Sequence, residues 1–200
     1  MSKTDKKNLV IFLFMMAFFF ALTFSLVSLY YKGITVLTAR ILQAGYYLLM
    51  AGLSLLMMKI SDYRFKDFGV FFFHLLWQVL IGICVAAALT IMGVFATGGY
   101  TLPTDWLYLV PSQSLVGIAE ELFWRGLLLK LLSEMLHSKH WAIPVNAILF
   151  GIWHYPLTQS IASVFILTFI GIVFAALRNE LDDRMGIPGL AVAHALMNVF

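Results

Sequence analysis

Between Leu9 and Tyr31 the chain carries no charged side chain. That is long enough to cross the hydrocarbon core of a bilayer, which takes about 20 residues of helix. No water in that core can serve backbone N–H and C=O groups, so such a run must satisfy them within itself, as helix. Six further apolar runs follow, from about Ile41 to Met58, Gly69 to Phe95, Trp106 to Leu132, Trp141 to Tyr155, Leu157 to Leu177 and Ile187 to Phe200. Composition points the same way: 62% of the residues are hydrophobic and 12% charged, against about 45–50% and about 25% in a soluble domain. The predicted fold class is all-α, a polytopic transmembrane helix bundle with about seven membrane-embedded helices. It forms one integral membrane domain over residues 1–200.

The first run is longer than a signal-peptide core and no clear small-x-small cleavage site follows it, so it is expected to be retained. The fifth run is barely long enough to span, with Pro144 suited to its first helical turn and Pro156 closing it. The seventh, with Pro188 near its start, is shorter than a span. Among the basic residues, Lys3, Lys6, Lys7, Lys59, Arg64, Lys66, Lys130, Lys139, Arg178 and Arg184 fall at one end of the predicted bundle. Only Lys32 and Arg40 fall at the other, and Arg125 lies within a run. Ten against two is a strong positive-inside asymmetry, which predicts a multi-pass cell-membrane protein with a cytoplasmic N-terminus. The net charge of +3 is spread over short loops, so it gives no nucleic-acid footprint. The single cysteine, Cys84, forms no internal disulfide and reads as a small packing residue.

Against this background a few residues stand out. A charge at mid-bilayer depth costs about 2.5–3.5 kcal/mol on the mildest scale, so ionisable groups inside the runs are expected to face one another or water. In the fourth run, Glu121 and Arg125 are four apart on one helical face, acid first, while Glu120 is turned about 100° away. One carboxylate can be held by arginine and the other left for proton transfer. In the fifth, His154 shares a face with Phe150 and Asn146. In the seventh, His194 and Asn198 are four apart, and an amide there can orient an imidazole or donate to an oxyanion. Small residues Gly189, Ala191, Ala193 and Ala195 let this last helix approach its neighbours closely. Taken singly, each pattern has a plain structural reading: an ion-pair knot, a helix-end histidine, a polar pair that glues helices. Counting depth along the helices places all three patterns in the half of the membrane nearer the basic loops.

Other polar residues read as structural. His137 and His140 fall in a solvated basic loop and His74 at an interface. Gln43, Gln78, Ser112, Gln113 and Ser114 are expected to be buried hydrogen-bonding groups. Asp105 beside Trp106 reads as a helix cap, and Asp182 and Asp183 belong to a mixed-charge loop. No nucleotide-binding loop or serine nucleophile elbow is present.

Together, Glu120-Glu121-x-x-x-Arg125, Phe150-x-x-x-His154 and His194-x-x-x-Asn198 resemble the motifs of the CAAX protease and bacteriocin-processing family of intramembrane endopeptidases, which includes the Rce1-type prenyl-protein protease. The resemblance covers about residues 106–200. It implies a helical bundle with its site open to the cytoplasmic half of the membrane, in which Glu120 activates water and His154 assists. Glu121 and Arg125 would orient the glutamate motif, and His194 and Asn198 would stabilise the oxyanion. It implies a peptide or membrane-protein substrate within the lipid bilayer. No cofactor is expected, because paired histidines on one helix are missing, although two histidines and a carboxylate can ligate zinc. The alternative is a non-proteolytic membrane scaffold, such as a sensor-kinase regulator or a bacteriocin-immunity protein. A transporter would show inverted repeats, and none is found.

Overall fold

A computed structural model describes residues 3–61, 63–97, 106–181 and 184–200; Asp105, Asp182 and Asp183 lie outside the described residues. Among those described, every regular element is helical. In chain order they are α1 (Lys3–Tyr31), α2 (Val36–Ile60), a 3₁₀ turn (Phe65–Phe68), α3 (Leu75–Thr97), α4 (Trp106–Glu121), a π-helical segment (Leu122–Leu128), α5 (Leu129–Met135), α6 (Lys139–Trp153), α7 (Tyr155–Thr158), α8 (Ile161–Glu180) and α9 (Ile187–Val199). Four are long and apolar enough to cross a membrane: α1, α2, α3 and α8. Their outward faces carry large apolar side chains such as Leu13, Leu48, Leu76 and Phe165, all exposed, as suits contact with acyl chains.

Local chemistry sets the boundaries. Thr35, Ser138 and Ser160 each accept a hydrogen bond from a backbone N–H in the first turn of α2, α6 and α8, satisfying a donor with no intrahelical partner. Because Ser138 starts α6 early, Pro144 lies inside that helix rather than in its first turn. The third run begins as a loop, not as helix from Gly69. The carbonyl of Gly69 accepts from Ile187 N at 2.9 Å. Gln78, fully buried, donates to the carbonyls of Phe71 and Phe73 and accepts from Gly186 N at 3.1 Å. That backbone ties the start of α9 to α3.

The main core joins Met15 and Phe19 of α1 and Met50 and Met58 of α2 to Phe123, Trp124, Leu127, Phe150 and Trp153. α9 lies against α3 and α4, where side-chain-free backbone permits close approach. A Cβ on Gly117 of α4 would stand 2.7 Å from the Ala191 carbonyl oxygen, and one on Gly82 of α3 would collide with the Gly189 carbonyl. Some residues depart from the sequence expectation: Ser112, Gln113 and Ser114 are half-buried rather than buried. Cys84 is exposed on α3 rather than packed within the bundle. Gln43 is exposed on α2 because its side of the helix borders a cavity. His74, His137 and His140 are exposed.

The two ends of the bundle are distinct. At one, Asn8 of α1 bonds Tyr63 at 3.3 Å and Lys130 of α5 lies over the Tyr63 ring at 4.7 Å. This is the basic end. At the other, Gln159 bonds the Tyr31 hydroxyl at 3.0 Å, and Arg40 stacks on Tyr108 at 3.9 Å.

Candidate active site

Glu121 and Arg125 form a fully buried pair, with Arg125 Nη1 donating to Glu121 Oε1 at 3.2 Å. The guanidinium also lies over the rings of Phe150, 4.2 Å away, and Phe174, 5.4 Å away. Cation–π contact of this kind helps a desolvated arginine stay charged. The pair spans the change from α-helix to π-helix at Leu122. In the π segment the Leu129 N–H reaches back to the Trp124 carbonyl, which also accepts from Asn146 Nδ2 at 2.9 Å. π-bulges recur at functional sites because they re-aim side chains within an otherwise regular helix.

Glu121 holds a second partner. Its Oε1 lies 2.7 Å from His194 Nδ1, and a carboxylate can only accept, so that nitrogen carries the proton. His154 Nδ1 lies 2.8 Å from the Phe150 carbonyl oxygen, and the same argument fixes its tautomer. The phenylalanine of the motif thus supplies a ring to Arg125 and a carbonyl to His154. With both Nδ1 atoms committed, both Nε2 atoms face the same point: each lies 3.7 Å from Glu120 Oε2. That oxygen is buried and accepts no hydrogen bond from the described residues. The structure therefore brings Glu120, Glu121, Arg125, His154 and His194 together from three separate stretches of chain.

Asn198 is not part of this cluster. It is exposed, and its amide donates to Gln113 Oε1 at 3.1 Å. Helical spacing puts it on the face of His194, but one turn further it reaches the outside of α9. One participant has no counterpart in the motifs: Tyr47 of α2 donates its hydroxyl to Glu120 Oε1 at 3.1 Å across 73 residues of sequence. The only hint of it in the chain is a tyrosine pair, Tyr46-Tyr47, inside an apolar run. Among the described residues no group of three or more His, Cys, Asp or Glu side chains is arranged to hold a metal ion.

A cavity of about 330 Å³ reaches Glu120 and Tyr47. Its walls are the C-terminal half of α1 and the N-terminal half of α2, closed on one side by Trp153 and Leu157. It runs to Tyr30, Tyr31 and Ile34 at the α1–α2 turn, the end of the bundle away from the basic loops. Helix depth places the motif residues nearer the basic end, and the resemblance implies an opening on that side; this cavity runs the other way. The rod carrying Glu120 continues to Met135, which places Glu120 near its midpoint, at about 1.5 Å per residue from either end, and the walls decide the direction.

Residues 102–200 match the model of the Rce1-like family, described as type II CAAX prenyl endopeptidases. The match takes in α4 to α9 and every motif residue, and leaves out α1 to α3 with Tyr47. No curated protein and no solved structure matches the chain. Through this half, which holds Glu120, Glu121, Arg125, His154, His194 and Asn198, the chain belongs to the Rce1-like family of CAAX endopeptidases, and it is a multi-pass membrane protein of that family.

Proposed function

We propose that the protein is an intramembrane endopeptidase that hydrolyses peptide bonds with water activated by Glu120. The observation that carries this reading is the convergence of two imidazole Nε2 atoms on Glu120 Oε2, 3.7 Å from each. Glu120 takes a proton from water as its oxygen attacks the substrate carbonyl, and returns that proton to the amine as the C–N bond breaks. His154 assists the transfer. As an imidazolium, His194 keeps Nδ1–H on Glu121 and turns Nε2–H toward the oxyanion. Glu121 fixes that ring and balances its charge, and Arg125 holds Glu121 in place. Asn198, held by Gln113, anchors α9 to α4, so the oxyanion role that the resemblance gives it falls to His194. No covalent acyl-enzyme forms.

The remaining features of the reading rest on the charge asymmetry of the loops and on the family resemblance. All seven apolar runs are embedded in a bacterial-type plasma membrane, with the N-terminus and the basic loops in the cytoplasm. Substrates are leader peptides, peptide pheromones or membrane-protein segments. The reaction needs no metal: activity should survive exhaustive chelation, and strict loss restored only by zinc would overturn that part.

Glu120→Gln keeps the shape of the side chain and removes the base. Purified full-length protein, assayed on a quenched fluorogenic peptide library, should lose about 10²–10⁴-fold in turnover, the contribution of a positioned general base. A folded Gln variant with undiminished cleavage sinks the protease reading and favours a membrane scaffold.

A further inference from the structure

The cavity between α1 and α2 has a wall with a definite chemistry. Val27, Leu42, Tyr46 and Trp153 are among the residues that line it, and no charged side chain lines it other than Glu120. Among its polar groups, the hydroxyls of Thr23 and Tyr46 bond each other, Tyr47 bonds Glu120 and Tyr31 bonds Gln159; the lining also holds one primary amide, that of Gln43, exposed on α2. Gln43 and Tyr47 are four residues apart and share a face of α2. The amide therefore stands about 6 Å nearer the opening than the hydroxyl that holds Glu120. An extended peptide advances about 3.3 Å per residue, so that distance equals about two residues of strand. A side-chain amide both donates and accepts, which matches the two groups a peptide unit offers.

We infer that this cavity is the substrate channel, that it takes an extended apolar peptide strand from the bundle end opposite the basic loops, and that Gln43 pairs with the strand's backbone two residues from the scissile bond. The inference rests on the protease reading above. Gln43 is a positioning residue; it binds a non-reacting part of the substrate and does not touch the scissile bond.

The test uses the full chain and the best-cleaved member of the peptide library. Gln43→Leu should raise KM by about 3- to 10-fold, the value of one net hydrogen bond, and leave kcat within about twofold. An N-methyl group on the peptide nitrogen two residues from the cleavage point should cost wild type a similar factor and the Gln43→Leu variant nothing more. Equal losses in both proteins would overturn the pairing. To block the channel without refolding risk, Leu42→Cys in a Cys84→Ser background is assayed before and after reaction with a bulky maleimide. Modification should abolish cleavage by about tenfold or more, since filling a packed channel displaces substrate. The same treatment of Leu48→Cys, on the exposed side of α2, should change nothing. A membrane-impermeant maleimide applied outside intact cells should reach Leu42→Cys but not Lys59→Cys; the reverse pattern overturns the side of opening. If the modified Leu42→Cys protein cleaves normally while Glu120→Gln is dead, the channel is wrong and the protease stands. If Glu120→Gln is active, both fall.

Discussion

Tyr47→Phe tests whether the first two helices take part in the chemistry or only carry the site in the membrane. The substitution removes one oxygen atom and leaves the ring, so the cavity keeps its shape. What is lost is the O–H that Glu120 Oε1 accepts at 3.1 Å. Glu120 has no other hydrogen-bond donor on Oε1 among the described residues, and its Oε2 is the oxygen that faces both imidazoles. Without Tyr47 the carboxylate can turn about its last bond, and Oε2 no longer points steadily at the reacting water. A hydrogen bond to a charged group contributes about 1.5–3 kcal/mol, or about 10- to 150-fold in rate. The loss should fall on kcat, because the oriented carboxylate matters most as the proton moves, with KM changed by less than about threefold. Stability should barely move, since the hydroxyl borders the cavity and its removal leaves Glu120 accessible to solvent there. The assay is steady-state cleavage of a defined peptide by purified protein, with thermal unfolding in detergent alongside. A kcat within about twofold of wild type would refute the claim that Tyr47 positions the base; a large drop in melting temperature would mean the hydroxyl is structural.

Two other substitutions separate scaffold from chemistry. Arg125→Met keeps most of the bulk under Phe150 and strips the fully buried Glu121 of its counter-charge. Breaking one partner of a buried pair costs about 3–5 kcal/mol, so a clear fall in melting temperature is expected together with lost activity. An unchanged melting curve would mean that Glu121 finds its balance elsewhere. Gly117→Ala places a methyl group 2.7 Å from the Ala191 carbonyl oxygen and 3.4 Å from His194 Cβ. α9 must shift outward and carry His194 with it. A displacement on the order of 1 Å costs about 10²-fold in turnover, while overpacking costs only about 1–3 kcal/mol in stability. Turnover within a few-fold of wild type would show that the position of His194 is not critical.

How much of the site is legible in the chain depends on how local each determinant is. Glu121 with Arg125 and Phe150 with His154 are four-residue relations within one helix, and residue spacing alone reveals both. The carbonyl of Phe150 and the ring of Phe150 act at the two ends of a single residue, which is why an aromatic at that spacing is informative. His194 and Asn198 share the same spacing and separate in the fold, because a turn of helix is enough to carry a side chain from a packed interface to an exposed end. The π segment leaves no trace in periodicity: its support comes from Asn146 on α6, a second helix whose register with the first is set only on packing. Tyr47 and the cavity are further still from local pattern. α1 and α2 need only be apolar and of suitable bulk to be stable in lipid, so the residues that wall the site carry almost no compositional mark. The motif marks the carboxylate proposed to react. The cavity that reaches it lies where α1 and α2 fail to close against each other, near the turn joining them, and the amide of Gln43 is on its wall.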